Sequence, residues 1–164
     1  MLDLLPDLFD LYPSELSLLG HNYRQFGNRS IFWGEVVTVK CFEDNSKLKE
    51  LLAQPGDGKV LVVDGGGSSR RALLGDMIAQ SAVDNCWSGI VINGYVRDVA
   101  ALNLMPIGIQ ALGANPIKTD KRDIGDVNVP IEIDRVIIKS GMFLYADDNG
   151  IAVSESRLDF SSLC

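Results

Sequence analysis

The sequence predicts a layered α/β fold with a mixed sheet. Two short apolar runs, Lys59–Asp64 and Gly89–Gly94, are typical of strands that are buried on both faces. A segment with helical spacing, Asp76–Cys86, lies between them, so this part predicts a parallel strand–helix–strand unit. The flanking segments are rich in β-branched residues, which favours antiparallel strands there. No internal repeat or linker is visible, so we expect residues 1–164 to form one domain.

The N-terminal third predicts a helix, a strand and a second helix. Leucine and phenylalanine recur at helical spacing from Leu4 to Leu11, and Pro13 ends this helix. β-Branched and aromatic residues in 31–42 predict a strand. Asp44-Asn45-Ser46 is typical of a turn that starts a helix, which Pro55-Gly56 ends.

The rest of the chain predicts one more helix and several strands. The helix Asp76–Cys86 has Ile78, Ala79, Ala82, Val83 and Cys86 on its inward face. A polar loop, Lys118–Asp126, is followed by a mainly β pattern. The predicted strands after Gly94 are Ile107–Leu112, Val129–Ile133, Val136–Ile138, Met142–Tyr145 and Ile151–Val153.

Composition excludes several classes of protein. The net charge of −7, from 15 basic and 22 acidic residues, argues against direct nucleic-acid binding, because such proteins present an excess of Lys and Arg to phosphate. An acidic surface still allows a basic protein partner. The three widely spaced cysteines fit a reducing compartment, and the leucine-rich start is interrupted by acids. We therefore expect a cytoplasmic protein without a signal peptide or membrane span.

Two glycine-containing segments are candidate ligand loops. Gly65-Gly66-Gly67 follows a buried strand, and a tight turn and a pocket wall are equally compatible with it. It is not a nucleotide-binding fingerprint. Gly75-Asp76-Met77-Ile78 opens a helix, where Asp76 fits an ordinary N-cap. The same helix start also presents free amides and a positive dipole end to a carboxylate.

Arg97-Asp98 follows the strand that ends at Gly94. By itself the pair is typical of an exposed ion pair. However, 20 residues separate Asp76 from Arg97, which is the length of one helix plus one strand, so both segments should return to the same sheet edge. Amides, a guanidinium and two carboxylates at one rim suit a 2-oxo acid and a divalent metal.

This motif resembles that of the class II pyruvate aldolases that cleave 4-hydroxy-4-methyl-2-oxoglutarate and 4-carboxy-4-hydroxy-2-oxoadipate. The wider chain is similar to the regulator of ribonuclease activity A family, which shares their fold. The resemblance extends through Thr38–Asn45, Val60–Gly67, Arg70–Ala72 and Tyr145–Asp147. It implies a swivelling β/β/α domain of the phosphohistidine-domain type, a homotrimer, and active sites at subunit boundaries.

The resemblance also implies roles for individual residues. The amides of Gly75, Asp76, Met77 and Ile78 bind the carboxylate and oxo group of the pyruvyl end. Arg97 binds and polarises the same end. Asp98 holds Mg²⁺ or Mn²⁺, and Asp76 orients a metal-bound water that carries the proton.

Two departures from the family pattern bear on function. The longer aldolases insert a glutamate from a C-terminal extension into the neighbouring site, and this chain ends at Cys164 without it. Members known as ribonuclease regulators have lost the acids of the motif, whereas Asp76 and Asp98 are present here. The expected activity is therefore cleavage of 4-hydroxy-4-methyl-2-oxoglutarate, with oxaloacetate decarboxylation as a side activity.

Alternative functions remain open. The first is a protein-binding inhibitor of an endoribonuclease such as ribonuclease E. A quinone methyltransferase lacks support because no cofactor-binding glycine fingerprint is present. A Schiff-base aldolase is disfavoured because neither proposed loop contains a lysine.

Other polar residues are expected to be structural. His21 is the only histidine and is expected on the surface or at an interface. Lys118–Arg122 is predicted to be a solvated loop that can also rim the site, and Asp147–Gly150 is predicted to be a hairpin turn with a metal role as the minor alternative.

Overall fold

The computed structural model describes residues 1–20 and 22–164. The helices are α1 (Leu5–Leu11), α2 (Ser46–Leu52), α3 (Asp76–Asp84) and α4 (Val99–Leu102), with a 3₁₀ turn at Ser161–Leu163. The strands are β1 (Ser17–Leu18), β2 (Arg24–Gln25), β3 (Phe32–Lys40), β4 (Lys59–Asp64), β5 (Ala72–Leu74), β6 (Gly89–Val96), β7 (Gly108–Ala114), β8 (Asp126–Val127), β9 (Ile131–Ile133), β10 (Val136–Ile138), β11 (Phe143–Asp147) and β12 (Gly150–Ser154). The predicted mixed α/β fold is confirmed.

A ten-stranded mixed sheet forms the centre of the molecule. Its main order is β1-β12-β11-β3-β4-β6-β7-β2, and β5 and β8 pair with β6 and β3. The neighbours β3, β4, β6 and β7 run parallel, whereas β11, β12, β1 and β2 join antiparallel at the flanks. The carboxyl ends of four parallel strands therefore meet at one edge, which is where ligands collect in such sheets.

The sheet is covered by helices on one face and by a β-hairpin on the other. Along β4, Leu61 and Val63 pack against the helical side, with Leu48, Leu52, Ala79 and Ala82 from α2 and α3. The alternate residues Val60 and Val62 pack with Ile131, Ile133 and Ile138 of the β9–β10 hairpin. Because β4 is buried on both faces, it contains the apolar run that the sequence shows. The result is a β/β/α arrangement of layers.

Asp147 joins the N-terminal helix to the sheet. Its buried carboxylate accepts hydrogen bonds of 2.8 Å from the amides of Leu4 and Leu5, and one of 2.7 Å from Asn149. Asp147 also pairs with Gly150 across the β11–β12 hairpin, so the predicted turn is confirmed. Since both carboxylate oxygens already hold backbone amides, the structure gives Asp147 an anchoring role.

Several expectations need correction. Helix α3 ends at Asp84, and Cys86, expected on its inward face, is exposed with a φ of 64° in the turn that follows. The sequence pattern did not predict the two- to four-residue elements β1, β2, β5, β8 and α4. His21 lies outside the described residues. Among the helices of the described ranges, none combines the length and apolar character needed to cross a bilayer.

Candidate active site

Strand β5 brings the two candidate loops together. It pairs in parallel with the end of β6, so that Leu74 lies opposite Val96. The amide of Arg97 donates a 2.8 Å hydrogen bond to the carbonyl of Leu74. Gly75-Asp76 and Arg97-Asp98 consequently leave the sheet side by side. The expected meeting of the two segments at one rim is found, and the missed strand β5 produces it.

The Asp98 carboxylate caps helix α3 from outside the helix. Its Oδ2 accepts a 2.9 Å hydrogen bond from the Asp76 amide, whereas the N-cap residue Gly75 makes no side-chain cap. Asp76 itself is the first helical residue, so its expected N-cap role is wrong. Asp98 adopts the left-handed region (φ 57°, ψ 43°), which aspartate tolerates better than most residues. The position of this carboxylate is thus fixed by a hydrogen bond and by its backbone.

Position 75 requires glycine because the side chains of Asp98 and Arg97 approach its Cα closely. A Cβ atom at this position would lie 2.7 Å from Asp98 Oδ2 and 3.2 Å from Arg97 Nε. Any side chain would therefore push the carboxylate and the guanidinium away from the helix start. This is the signal that the sequence offered in the Gly75-Asp76 pair, since glycine permits a close backbone approach to polar groups.

Arg97 and Asp98 are neighbours without being locked together. Arg97 Nε lies 3.9 Å from Asp98 Oδ2, and the two side chains are 39% and 36% exposed. An exposed pair at this distance contributes little to stability. Within residues 1–20 and 22–164, Asp98 Oδ1 accepts no hydrogen bond. The guanidinium and one carboxylate oxygen are therefore available to a ligand.

A cavity of about 130 Å³ opens at the start of α3. The residues that line it are Asn45, Lys49, Ala72, Gly75, Asp76, Met77, Ile78, Arg97, Lys118 and Lys121. Four of these side chains are cationic and one is a carboxylate, although the whole protein has a net charge of −7. The cavity is smaller than the ~300–1,000 Å³ of drug-sized sites, which suits a small organic anion.

Two amides of the first helical turn face no partner. The Asp76 amide is occupied by Asp98, but in the described part of the chain neither the Met77 nor the Ile78 amide makes a hydrogen bond. Free amides in the first turn of a helix are donors for anions. In the predicted anion hole at Gly75–Ile78, the amides of Met77 and Ile78 are therefore open donors. The Asp76 amide is already bound to the Asp98 carboxylate beside it.

Three lysines lie at the rim: the sequence left open that Lys118 and Lys121 could reach it, whereas Lys49 was not expected there. Lys49, Lys118 and Lys121 are exposed, and no carboxylate of the described residues lies within 4.0 Å of their ammonium groups. Lys118 and Lys121 follow β7, whose carboxyl end neighbours that of β6, so the sheet order was the signal that could have located them. Because these lysines are exposed, they lack the desolvation that activates a Schiff-base lysine.

Asp44 holds the loop that carries Lys118 and Lys121. Its carboxylate accepts hydrogen bonds from Ser46 at the start of α2, and from the amides of Arg122 (2.7 Å) and Ile124 (3.3 Å). Burial raises the pKa of Asp44, but these hydrogen bonds outweigh burial and lower the pKa to about 2. The loop Lys118–Arg122 is mainly exposed, as predicted, but Asp44 also fixes it against the start of α2.

The carboxylates of the rim fit a weakly held hard cation. Among the described residues, no three His, Cys, Asp or Glu side chains form a metal-binding group. Mg²⁺ commonly takes only one or two protein carboxylates and completes its shell with water and substrate oxygens. Asp98, with its free Oδ1, and the exposed Asp76 provide that kind of donor set.

The candidate glycine run Gly65–Gly67 and the nearby Cys41 thiol take no part in the site. Gly66 and Gly67 have φ values of 66° and 70°, so the glycine run forms a turn, and neither lines the cavity. The Cys41 thiol is close to the end of β3, but burial, together with Asp44 and Asp64, raises its pKa to about 12. A thiol of that pKa stays protonated at neutral pH and is a poor nucleophile.

The fold and the rim together define a small α/β protein. At the carboxyl ends of its parallel strands it has a pocket that is lined by cationic side chains and suits a small anion. A family model described as Aldolase/RraA matches residues 4–153, and the chain belongs to this RraA-like family. A relative from Shewanella oneidensis, provisionally named 4-hydroxy-4-methyl-2-oxoglutarate aldolase, is 67% identical over 163 residues, which is 99% of each chain.

Solved structures of similar fold carry other names. The RNA-processing inhibitor RraA from Thermus thermophilis superposes with a TM-score of 0.93 at 40% identity, over 98% of each chain. A structure from Geobacillus kaustophilus, named S-adenosylmethionine:2-dimethylmenaquinone methyltransferase, gives a TM-score of 0.93 at 38% identity and covers 95% of this chain and 97% of its own. The shared fold is thus compatible with more than one named activity.

The anchoring role of Asp44 predicts how stability responds to acid. The pKa of Asp44 is about 2 in the folded protein against 3.8 ordinarily, so its stabilising contribution is present above pH ~4 and is lost as pH falls through about 2. Asp44→Asn should lower the unfolding free energy at pH 7 by about 1–3 kcal/mol and should flatten the decline below pH 4. Urea unfolding between pH 2 and pH 7 measures both effects.

The matched control is Asp120→Asn, which removes an exposed carboxylate from the same loop. This variant should keep the wild-type acid dependence. Parallel pH curves for wild type and Asp44→Asn would show that Asp44 does not hold the loop.

Proposed function

We propose that this protein is a divalent-metal-dependent class II aldolase that cleaves 4-hydroxy-4-methyl-2-oxoglutarate into two molecules of pyruvate. The observation that carries the proposal is the small cationic cavity at the start of α3, where Arg97 and two open amides surround one space. The Asp98 carboxylate stands at the same helix start. The provisional name of the Shewanella relative supports the same substrate.

Binding of the pyruvyl end uses the helix start. In this proposal the substrate's carboxylate accepts hydrogen bonds from the amides of Met77 and Ile78, assisted by the helix dipole. Arg97 donates to the 2-oxo group, where negative charge develops. Lys118 and Lys121 bind the second carboxylate of the substrate. This gives a role to two of the cations that line the cavity besides Arg97.

The reaction breaks the C3–C4 bond of the substrate. Loss of the C4 hydroxyl proton turns C4 into the oxo carbon of one pyruvate, and the electrons of the broken bond form the enolate of the other. Protonation of that enolate at C3 completes the second pyruvate. Arg97 and the open amides stabilise the enolate oxygen more strongly than the neutral oxo group, which lowers the barrier. Oxaloacetate loses CO₂ through the same enolate, so its decarboxylation is the expected side activity.

Asp98 and Asp76 supply the two carboxylates of the proposed mechanism. Asp98, with Asp76 nearby, would hold a Mg²⁺ or Mn²⁺ ion, which would supply Lewis-acid chemistry at the developing enolate. Asp76 is exposed at the rim, where it would orient the water that takes the proton leaving the C4 hydroxyl. We further propose that the enzyme works as a cytoplasmic homotrimer, in keeping with the resemblance of its motif.

Replacing Arg97 should abolish most of the activity. Arg97→Ala removes the donor to the enolate oxygen, and the expected loss in kcat/KM is about 10²–10³-fold, the usual contribution of such a donor. Pyruvate release from 4-hydroxy-4-methyl-2-oxoglutarate, followed with lactate dehydrogenase, measures it. Lys139→Ala, which removes an exposed cation outside the cavity, serves as control. Activity of Arg97→Ala within twofold of wild type would remove Arg97 from the mechanism.

Metal dependence has a separate test in Asp98→Asn. The asparagine oxygen still accepts the Asp76 amide and tolerates the left-handed backbone, so the helix cap survives while the charge is lost. EDTA should abolish wild-type activity, and Mn²⁺ should restore it. Mn²⁺ binding, measured by calorimetry, should weaken by at least about tenfold in Asp98→Asn with an unchanged Tm. Full activity after EDTA treatment would exclude the metal route.

A second candidate function is inhibition of an endoribonuclease such as ribonuclease E. The specific observation in its favour is the superposition on the RNA-processing inhibitor from Thermus thermophilis, at a TM-score of 0.93 and 40% identity. The net charge of −7 is also compatible with a basic protein partner. The methyltransferase name of the Geobacillus structure has no comparable support, since this chain lacks a glycine fingerprint for such a cofactor.

A binding assay separates the two candidates. A regulator should retain purified ribonuclease E in a pull-down at micromolar concentration and should slow its cleavage of RNA. Inhibition should persist in Arg97→Ala, because that substitution removes catalysis without altering the rest of the surface. Absence of binding at micromolar concentration would end the regulatory candidate and leave the aldolase.

A further inference from the structure

A second and larger cavity lies at the opposite edge of the sheet from the candidate active site. Its volume is about 510 Å³, within the ~300–1,000 Å³ of small-molecule sites. It is lined by the first residues of β3, by Gly58 before β4 and by Ser88 before β6. Strand β6 lies between Ser88 at one cavity and Arg97 at the other, so about 25–30 Å of strand separates the two cavities. The larger cavity is therefore a separate site.

The walls of this cavity are aromatic and held in place. Phe32 lies against Gly89 and Gly108, where an added Cβ would come within 2.2 Å and 2.0 Å of its ring. Trp33 packs edge-to-face on Phe160, with ring centroids 5.0 Å apart, yet remains 39% exposed. An exposed indole fixed in this way presents a ready stacking surface.

The C-terminal segment closes the cavity and is itself anchored. The amide of Leu158 donates a 2.9 Å hydrogen bond to the buried hydroxyl of Tyr145, which also accepts from Ser154. Phe160 stacks edge-to-face on Tyr145 at 5.9 Å. These contacts make residues 154–160 a fixed wall, so the cavity is preformed rather than dependent on a rearrangement.

Two arginines give the cavity its charge. Arg29 and Arg157 line it, and in the part of the chain that is described neither guanidinium lies within 4.0 Å of a carboxylate. Glu35 is the one acidic side chain among the lining residues. The backbone at Arg29 is held in position because the Gln25 side chain donates hydrogen bonds to the carbonyls of Arg29 and Ser30. The lining thus combines an apolar aromatic surface with an excess of guanidinium.

We propose that this cavity binds a small aromatic carboxylate, with its ring on Trp33 and its carboxylate on Arg29 and Arg157. Apolar ring faces accommodate a flat ring, and guanidinium groups pair with carboxylates in a bidentate fashion. This site is independent of the pyruvyl pocket, so its occupant remains bound when that pocket is filled.

Trp33 provides the readout. Benzoate should quench tryptophan fluorescence saturably in the intact oligomer, with a Kd on the order of 1 mM or tighter for a ligand of this size. Benzyl alcohol, which has the ring without the charge, should bind about tenfold or more weakly, and acetate should not quench. In Trp33→Phe the benzoate signal should vanish, because the remaining indole, Trp87, lies outside this cavity.

Charge variants complete the test. Arg29→Gln and Arg157→Gln should each weaken benzoate binding by about tenfold or more while leaving the rate of pyruvate formation unchanged. Arg24→Gln, which removes an exposed cation outside the cavity, should bind benzoate like wild type. Saturating pyruvate should not displace benzoate.

Three results would overturn the proposal. Equal affinity for benzoate and benzyl alcohol would show that the arginines play no part. Displacement by pyruvate would place the ligand in the other cavity. Quenching that is absent in the oligomer but present in dilute monomer would show that a second copy of the chain covers this face. Failure of the aldolase assays would leave the expected binding result unchanged.

Discussion

The hydrogen bond from the Asp76 amide to Asp98 Oδ2, 2.9 Å long, is the contact on which the candidate site depends. It exists because β5 pairs with the end of β6 and delivers two chain segments to the same point. It uses one oxygen of a carboxylate and one amide of a helix start, and leaves the other oxygen and the next two amides open. A single contact thus fixes a negative group beside donors that attract negative ligands.

The cationic side chains around the cavity offset the negative charge that Asp98 places at the start of α3. A carboxylate at the mouth of an anion pocket repels an anion, but Arg97 and three lysines surround the same cavity. Lys118 and Lys121 are long and exposed, so they would be poorly placed on a free loop. Asp44 and the Asn45–Thr119 hydrogen bond of 2.9 Å fix that loop against α2. The buried carboxylate of Asp44 therefore positions the loop that carries Lys118 and Lys121 at the site.

The sequence predicted the central features of this molecule well because they are periodic or local. The buried runs of β4 and β6 and the start of α3 follow from apolar pattern and helix-start chemistry. The sequence did not reveal β5 or β8, since two or three residues have no period to read, and their pairing depends on long-range contacts. Likewise, Lys118 and Lys121 appear as a solvated loop until Asp44, more than 70 residues earlier, is seen to hold that loop.

The backbone conformation of Asp98 and the close packing at Gly75 bear on whether the pocket binds a ligand or has only a structural role. Asp98 holds a left-handed backbone that disfavours most side chains, and Gly75 gives up a Cβ that a helix start would normally tolerate. Capping α3 requires neither, because a serine or threonine at position 75 would cap the helix locally. Their joint presence supports the proposal that the carboxylate, with its open oxygen beside Arg97, binds a ligand.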